Sequence, residues 1–164
     1  MFFRFISRLN FLCTSTNQHG VHSPFVFDFV TKGLYNKTYN LEKINAYKEF
    51  QNLTKKEKKV LSKIIHHFKV DDILFDVKKS TKTLDKKYKI LYINTIKGFL
   101  NFDFSKLDST TFIVVYDVYK SKQTLSLWRE TIKKKQFSVT IDLFFLGLIF
   151  IRKEQAKEHF KIRV

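Results

Sequence analysis

Phe112-Ile113-Val114-Val115-Tyr116-Asp117 is the stretch on which the fold class turns. It is apolar from Phe112 to Tyr116, rich in β-branched and aromatic residues, and too short for a helix, so it reads as an interior strand. Ile90-Leu91-Tyr92-Ile93 has the same character, and so does Ile73-Leu74-Phe75 behind the polar pair Asp71-Asp72. The two longer runs end on polar residues, Asn94 and Asp117, where a chain can leave a sheet. Further along, Val139 and Ile141 alternate with polar neighbours, and Leu148 to Ile151 follows Gly147, which predicts a closing hairpin.

Helices fall between and before these runs. Thr54-Lys55-Lys56-Glu57 has the spacing of a capping box, and Val60, Leu61, Ile64, Ile65 and Phe68 then recur at three and four residues. Ser23-Pro24 reads as a helix start, with the hydroxyl accepting from an orphan amide, and predicts a helix to about Tyr35 with Phe25, Phe29 and Val30 on one face. Leu125, Trp128 and Ile132 mark a further stripe, with Lys133 to Lys135 favourable at the negative end of the helix dipole. Phe2, Phe5, Ile6, Leu9 and Cys13 also recur at helical spacing. That stripe suits a helix lying on a membrane or packed on the domain, and packing is the expectation because any soluble surface helix shows it. Strands separated by helices and closed by an antiparallel pair predict an α/β sandwich with a mostly parallel sheet.

Composition bounds the function classes. At 164 residues the chain is of one-domain size, and its 44% hydrophobic and 16% aromatic content supplies a core that a disordered chain lacks. Cys13 is the lone cysteine, so no intrachain disulfide forms, and a reducing cytoplasmic setting is expected. No apolar run approaches the roughly 18 residues of a membrane-spanning helix. The net charge of +16 comes mostly from Lys, with only five Arg among 31 basic residues. Lys gives solubility and nonspecific attraction, whereas Arg does most bidentate phosphate and base recognition. Residues 54–97 hold 13 Lys against five acids, a local +8, and are the candidate for nonspecific nucleic-acid contact. The competing reading is a solvated Lys face, since no aromatic RNA-binding motif accompanies it.

Of the chemistry-bearing residues, His19 and His22 lie in a turn with no third ligand nearby, so they are expected to fix the helix entry rather than hold a metal. His66 and His67 are adjacent and face different ways. Cys13 lacks an activating cluster and is expected as a small buried side chain, and Trp128 is expected in the core.

The segment Asn17-Gln18-His19-Gly20-Val21-His22-Ser23-Pro24-Phe25-Val26-Phe27 carries a resemblance, as do Val139 to Asp142, Gly147 to Phe150, Arg152 to Gln155 and Ile162 to Val164. Together they resemble a group of class I S-adenosylmethionine-dependent methyltransferases found in Bacteroidetes. The middle of the chain aligns by pattern alone, with Lys69 to Asp76, Lys89 to Asn94 and Phe112 to Val118 standing where that family has its first, fourth and fifth strands. The resemblance implies a Rossmann-like sheet whose last two strands pair antiparallel. It also implies methyl transfer to an oxygen or nitrogen nucleophile and cofactor contacts at Asp76, Lys78, Ser80, Asn94 and Asp117, and it assigns no catalytic base.

Departures from the family pattern shape the expectation. Where relatives carry a glycine-rich loop that lets the backbone approach the cofactor, this chain has Asp76-Val77-Lys78-Lys79-Ser80-Thr81, with no Gly from Leu34 through Lys97. The acid that holds the ribose hydroxyls has no counterpart, and Lys79 to Tyr88 is too short for the missing elements. One amide and one carboxylate, Asn94 and Asp117, make a poor site for a hard cation, so no metal is expected, and Asp117 reads as a strand-end cap or surface charge. The expectation is a reduced Rossmann-like methyltransferase sandwich. It would comprise an N-terminal helical segment (1–53) packed on a domain of residues 54–164, with an impaired cofactor site that does not bind S-adenosylmethionine. The alternative is a noncatalytic basic module that binds RNA or a protein, or dimerises, at an exposed sheet edge. A decayed gene product is the third reading.

Overall fold

The computed structural model of the chain describes residues 2–71, 73–75, 90–97, 104, 107 and 110–164. Its contacts divide these residues into a sheet unit, drawn from 1–15 and 71–163, and a helical unit spanning 16–70 with Val164. The division expected after Leu53 is therefore not where the contacts fall. Helix α4 (Lys55–His67) groups with the helices before it, because its apolar stripe packs on them. Helix α1 (Phe2–Thr14) groups with the sheet.

In the sheet unit the three apolar runs form β1 (Ile73–Phe75), β2 (Ile90–Ile93) and β3 (Phe112–Tyr116), paired parallel in that order. The hairpin forms from β4 (Val139–Asp142) and β5 (Leu146–Phe150), and β6 (Glu158–Lys161), not expected from the sequence, adds parallel to β4. The order β1-β2-β3-β5-β4-β6 gives a mixed, mostly parallel α/β sheet, in which β5 alone runs against the rest. Helix α5 (Lys122–Lys133) starts at a Ser121–Thr124 capping box and lays Leu125 and Trp128 on the sheet. Beneath them Leu91, Ile93, Ile113, Val115 and Ile149 form a continuous core face.

Two details of the hairpin differ from expectation. Thr140 and Asp142 are buried along with Val139 and Ile141, because β4 is an interior strand flanked by β5 and β6 rather than a half-exposed edge. Gly147 lies inside β5, not at the turn. A Cβ there would stand 2.5 Å from Trp128 Cη2, so the glycine is needed to let the indole down onto the strand.

The helical unit begins with a short turn at Gln18–Gly20, capped by the Asn17 side chain, which accepts the His19 N–H at 3.1 Å. Helix α2 (Pro24–Asp28) opens with Pro at its first position, but the Ser23 hydroxyl makes no capping bond, contrary to the sequence reading. The chain continues as a wider π-type turn over Phe29–Leu34, closed by the Tyr35 N–H on the Val30 carbonyl at 2.9 Å. Phe29 and Val30 are buried there, as expected. Helix α3 (Glu42–Asn45) and a turn at Lys48–Phe50 lead to α4, whose Thr54–Glu57 capping box is fully formed. Lys63 of α4 donates to the Leu34 carbonyl at 2.7 Å and Lys43 donates to the Val70 carbonyl, so part of the basic surface is spent on holding this unit together.

Candidate functional site

Because β5 is the only reversed strand among the described residues, the carboxyl ends of the other five described strands lie along one edge of the sheet. In open α/β sheets this is the edge at which ligands bind. Asn94 follows β2 and Asp117 follows β3 on neighbouring parallel strands, so two of the expected site residues share it. Asp76, Lys78 and Ser80 lie outside the described residues.

Helix α1 lies against this edge. Arg4 Nη1 donates to Asp117 Oδ2 at 2.9 Å, Phe11 packs edge-on against Tyr119 with centroids 5.9 Å apart, and Lys161 at the end of β6 donates to Thr14 Oγ1 at 3.2 Å. Asp117 is thus neither a surface charge nor a simple cap: its side chain is only 11% exposed and is held by a cation from another element. Its backbone takes a φ of 50°, a left-handed conformation that Asp adopts more readily than most residues, and its N–H donates to the Phe145 carbonyl at 2.7 Å. Its second carboxylate oxygen is buried without a hydrogen-bond partner among the described residues.

The face that α1 turns to the sheet is not the expected one. Ser7 and Phe11 are buried, while Phe2, Phe5, Ile6, Leu9 and Cys13 point away and are exposed. Arg4, Ser7 and Phe11 share one side of the helix, so the roll that brings Arg4 to Asp117 also seats Phe11 between Tyr119 and Phe144.

Between α1 and α5 opens a cleft of about 580 Å³. Asp142 and Trp128 lie in its wall, and Lys122, Arg129 and Lys161 line it as well. Tyr119 Oη donates to Asp142 Oδ2 at 2.7 Å, and the Phe144 N–H donates to Asp142 Oδ1 at 2.9 Å. Burial pushes the Asp142 carboxyl above the ordinary carboxylate range, opposed by these two hydrogen bonds, by Lys161 and by the Trp128 indole N–H nearby. Burial and the Asp142 charge likewise raise the Tyr119 phenol.

The outcome is a braced turn. With both oxygens of Asp142 occupied and the tyrosine held protonated, neither group is placed to take a proton from a substrate. His159 Nδ1 sits 2.9 Å from Thr140 Oγ1, and partial burial of the imidazole, followed by the charges of Lys161 and Lys157, lowers its pKa. The residue is nevertheless exposed, so water screens much of that effect.

Sequence reasoning missed Tyr119, Asp142 and His159. The only signal for Asp142 was a strand-end acid in an alternating run, which reads as outward-facing when the strand is taken for an edge. Among the described residues no three His, Cys, Asp or Glu side chains converge as a metal site. No described helix is long and apolar enough to cross a membrane. Comparison with protein-family models, with curated proteins and with solved structures returns no match to this chain.

Proposed function

We propose that the chain is a shortened, divergent relative of the class I S-adenosylmethionine-dependent methyltransferases that works in the cytoplasm as a noncatalytic binding module. Fold kinship transmits a scaffold, and activity has to be argued from the site. The observation that carries this reading is the Arg4–Asp117 ion pair. It commits the acid at the end of β3 to helix α1, on the edge where a cofactor of this family would be expected. The five co-directional strands and the antiparallel β4–β5 pair support the kinship. The lack of glycine where the cofactor loop is expected supports the loss of binding. The free, exposed thiol of Cys13 suits a reducing compartment. Net charge makes an acidic partner the natural one.

Titration calorimetry of the purified chain with S-adenosylmethionine and S-adenosylhomocysteine tests it, with an active methyltransferase of the resembled group as control. The expected result is no heat of binding from a folded chain. Micromolar binding of either compound overturns the reading and makes the chain a candidate enzyme.

A further inference from the structure

Helix α1 has two apolar aspects, and only one is used. Phe3, Ser7 and Phe11 face the rest of the sheet unit, while Phe2, Phe5, Leu9 and Leu12 form a separate stripe on the far side, with Ile6 at its border on the cleft and Phe2 78%, Phe5 61% and Leu9 49% exposed. At 100° per residue these five side chains and Cys13 fall in one band along the helix. A Phe side chain alone offers about 150–250 Å² to bury. The band therefore belongs with the patches of several hundred Å² that mark interaction sites rather than with scattered surface residues.

Charge says what covers it. One flank of the stripe carries Arg8, its guanidinium 5.6 Å from the centre of the Phe144 ring, with Arg4 beyond it already paired to Asp117. The opposite flank borders the cleft, lined by Lys122, Arg129 and Lys161. Helix α1 contains no acid. Asp117 and Asp142, bonded to Arg4 and to Tyr119, are largely and fully buried respectively. The result is an apolar ridge with cations on both sides. A second copy of the chain, itself at +16, would bring like charges together there. A duplex or single-stranded nucleic acid would leave the aliphatic part of the stripe without a partner. An anionic bilayer satisfies both parts, taking the apolar ridge into the acyl boundary and the cations at the headgroups.

We infer that α1 docks the protein on anionic membrane surfaces, lying in the plane of the interface with Phe2, Phe5, Ile6, Leu9 and Leu12 inserted. This names the partner of the binding module proposed above and rests on that reading for its place in the protein's function. The cofactor titration and the membrane measurement fail separately, since each uses a different ligand and a different surface.

The test is co-sedimentation of the full chain with vesicles of pure phosphatidylcholine and of equimolar phosphatidylcholine and phosphatidylserine. The expected result is a preference of about tenfold or more for the anionic vesicles, weakened by salt, since each cation near the surface adds about 1 kcal/mol. Phe5→Ser with Leu9→Ser should lower that partitioning by about tenfold while the circular dichroism spectrum is unchanged. Equal binding to both vesicle types overturns the inference, as does anionic binding that salt removes but the double substitution leaves intact. The latter would assign attraction to Lys-rich surfaces elsewhere. A concentration-dependent dimer abolished by the double substitution would overturn it in favour of self-association, and tighter capture by RNA than by anionic vesicles would do so in favour of nucleic acid. A Leu9→Lys variant, which keeps the helix but charges the ridge, provides a second chain should the double variant misfold, and must also lose binding.

Discussion

Helices α1 and α5 are a matched pair with opposite fates. They have 13 and 12 residues, each with an apolar stripe at helical spacing, and both belong to the sheet unit. Helix α5 buries its stripe, with Trp128 1% exposed against Gly147, whereas α1 turns its richer stripe outward and packs through Phe11 and Arg4. Under α5 the sheet presents the apolar cluster of Leu91, Ile93, Ile113, Val115 and Ile149, so hydrophobic area dominates the orientation of that helix. At the carboxyl edge the surface offers a largely buried carboxylate and two aromatic rings, Tyr119 and Phe144, and the helix presents to them the side that carries both Arg4 and Phe11. Periodicity states that a helix has a face. What lies opposite states which face is used.

The largest test of this contrast is Trp128→Ala. Removing a fully buried indole leaves a cavity over the flat spot made by Gly147, and a loss of about 3–5 kcal/mol is expected in denaturant unfolding. A loss under about 1 kcal/mol would mean that α5 is no better anchored than α1, and the comparison would collapse.

Much of the sheet was legible in the sequence, for a physical reason. Buried parallel strands are short apolar runs, and Ile73 to Phe75, Ile90 to Ile93 and Phe112 to Tyr116 have no other structure open to them. The capping box at Thr54 and the stripe of α5 are equally local and were equally readable. What could not be read depends on pairs distant in the chain. Asp117 meets Arg4 across 113 residues, and Asp142 meets Tyr119 across 23, so neither acid's burial leaves a local trace. Gly147 was misplaced for the same cause, since the demand for a bare Cα comes from Trp128 on another element. Cys13 lies on the outward side of α1, opposite the side that carries Arg4 and Phe11. Of the candidate site, Asn94 and Asp117 were proposed through the family resemblance, and the strand pairing places them on one sheet edge. The closure of that edge by α1 was not legible.

A pH titration sharpens the contrast between the sheet unit and the helical unit. His67 of α4 is 16% exposed at its side chain, packed against Phe29 and Phe68 and 3.8 Å from Asp28. Burial lowers its pKa below 6.5, with Asp28 only partly offsetting this. The unfolded chain therefore takes up a proton near pH 6.5 that the folded one resists. The contribution of His67 is full above that value and is lost as pH falls through it. Thermal unfolding should show a falling midpoint on acidification below pH 6.5, flattened in His67→Gln. In His159→Gln the flattening should be smaller, because that residue is open to water. The opposite ranking would place the pH-sensitive contact in the sheet unit.

The smallest expected effect is the most discriminating. If the outward stripe of α1 contributes nothing to the fold, Phe5→Ser with Leu9→Ser should shift the stability of the chain by no more than about 0.5 kcal/mol, as surface substitutions do. Phe11→Ala, on the same helix two residues beyond Leu9, should cost several kcal/mol, since Phe11 is 4% exposed between Tyr119 and Phe144. The two variants differ in which side of one helix they strip, so helix propensity and unfolded-state effects largely cancel between them. Equal losses would mean that α1 packs through both faces and that the ridge is a core surface. A near-zero loss at Phe5 and Leu9 beside a large one at Phe11 leaves the stripe free of any role in folding, and the apolar area it exposes then has to be accounted for by binding.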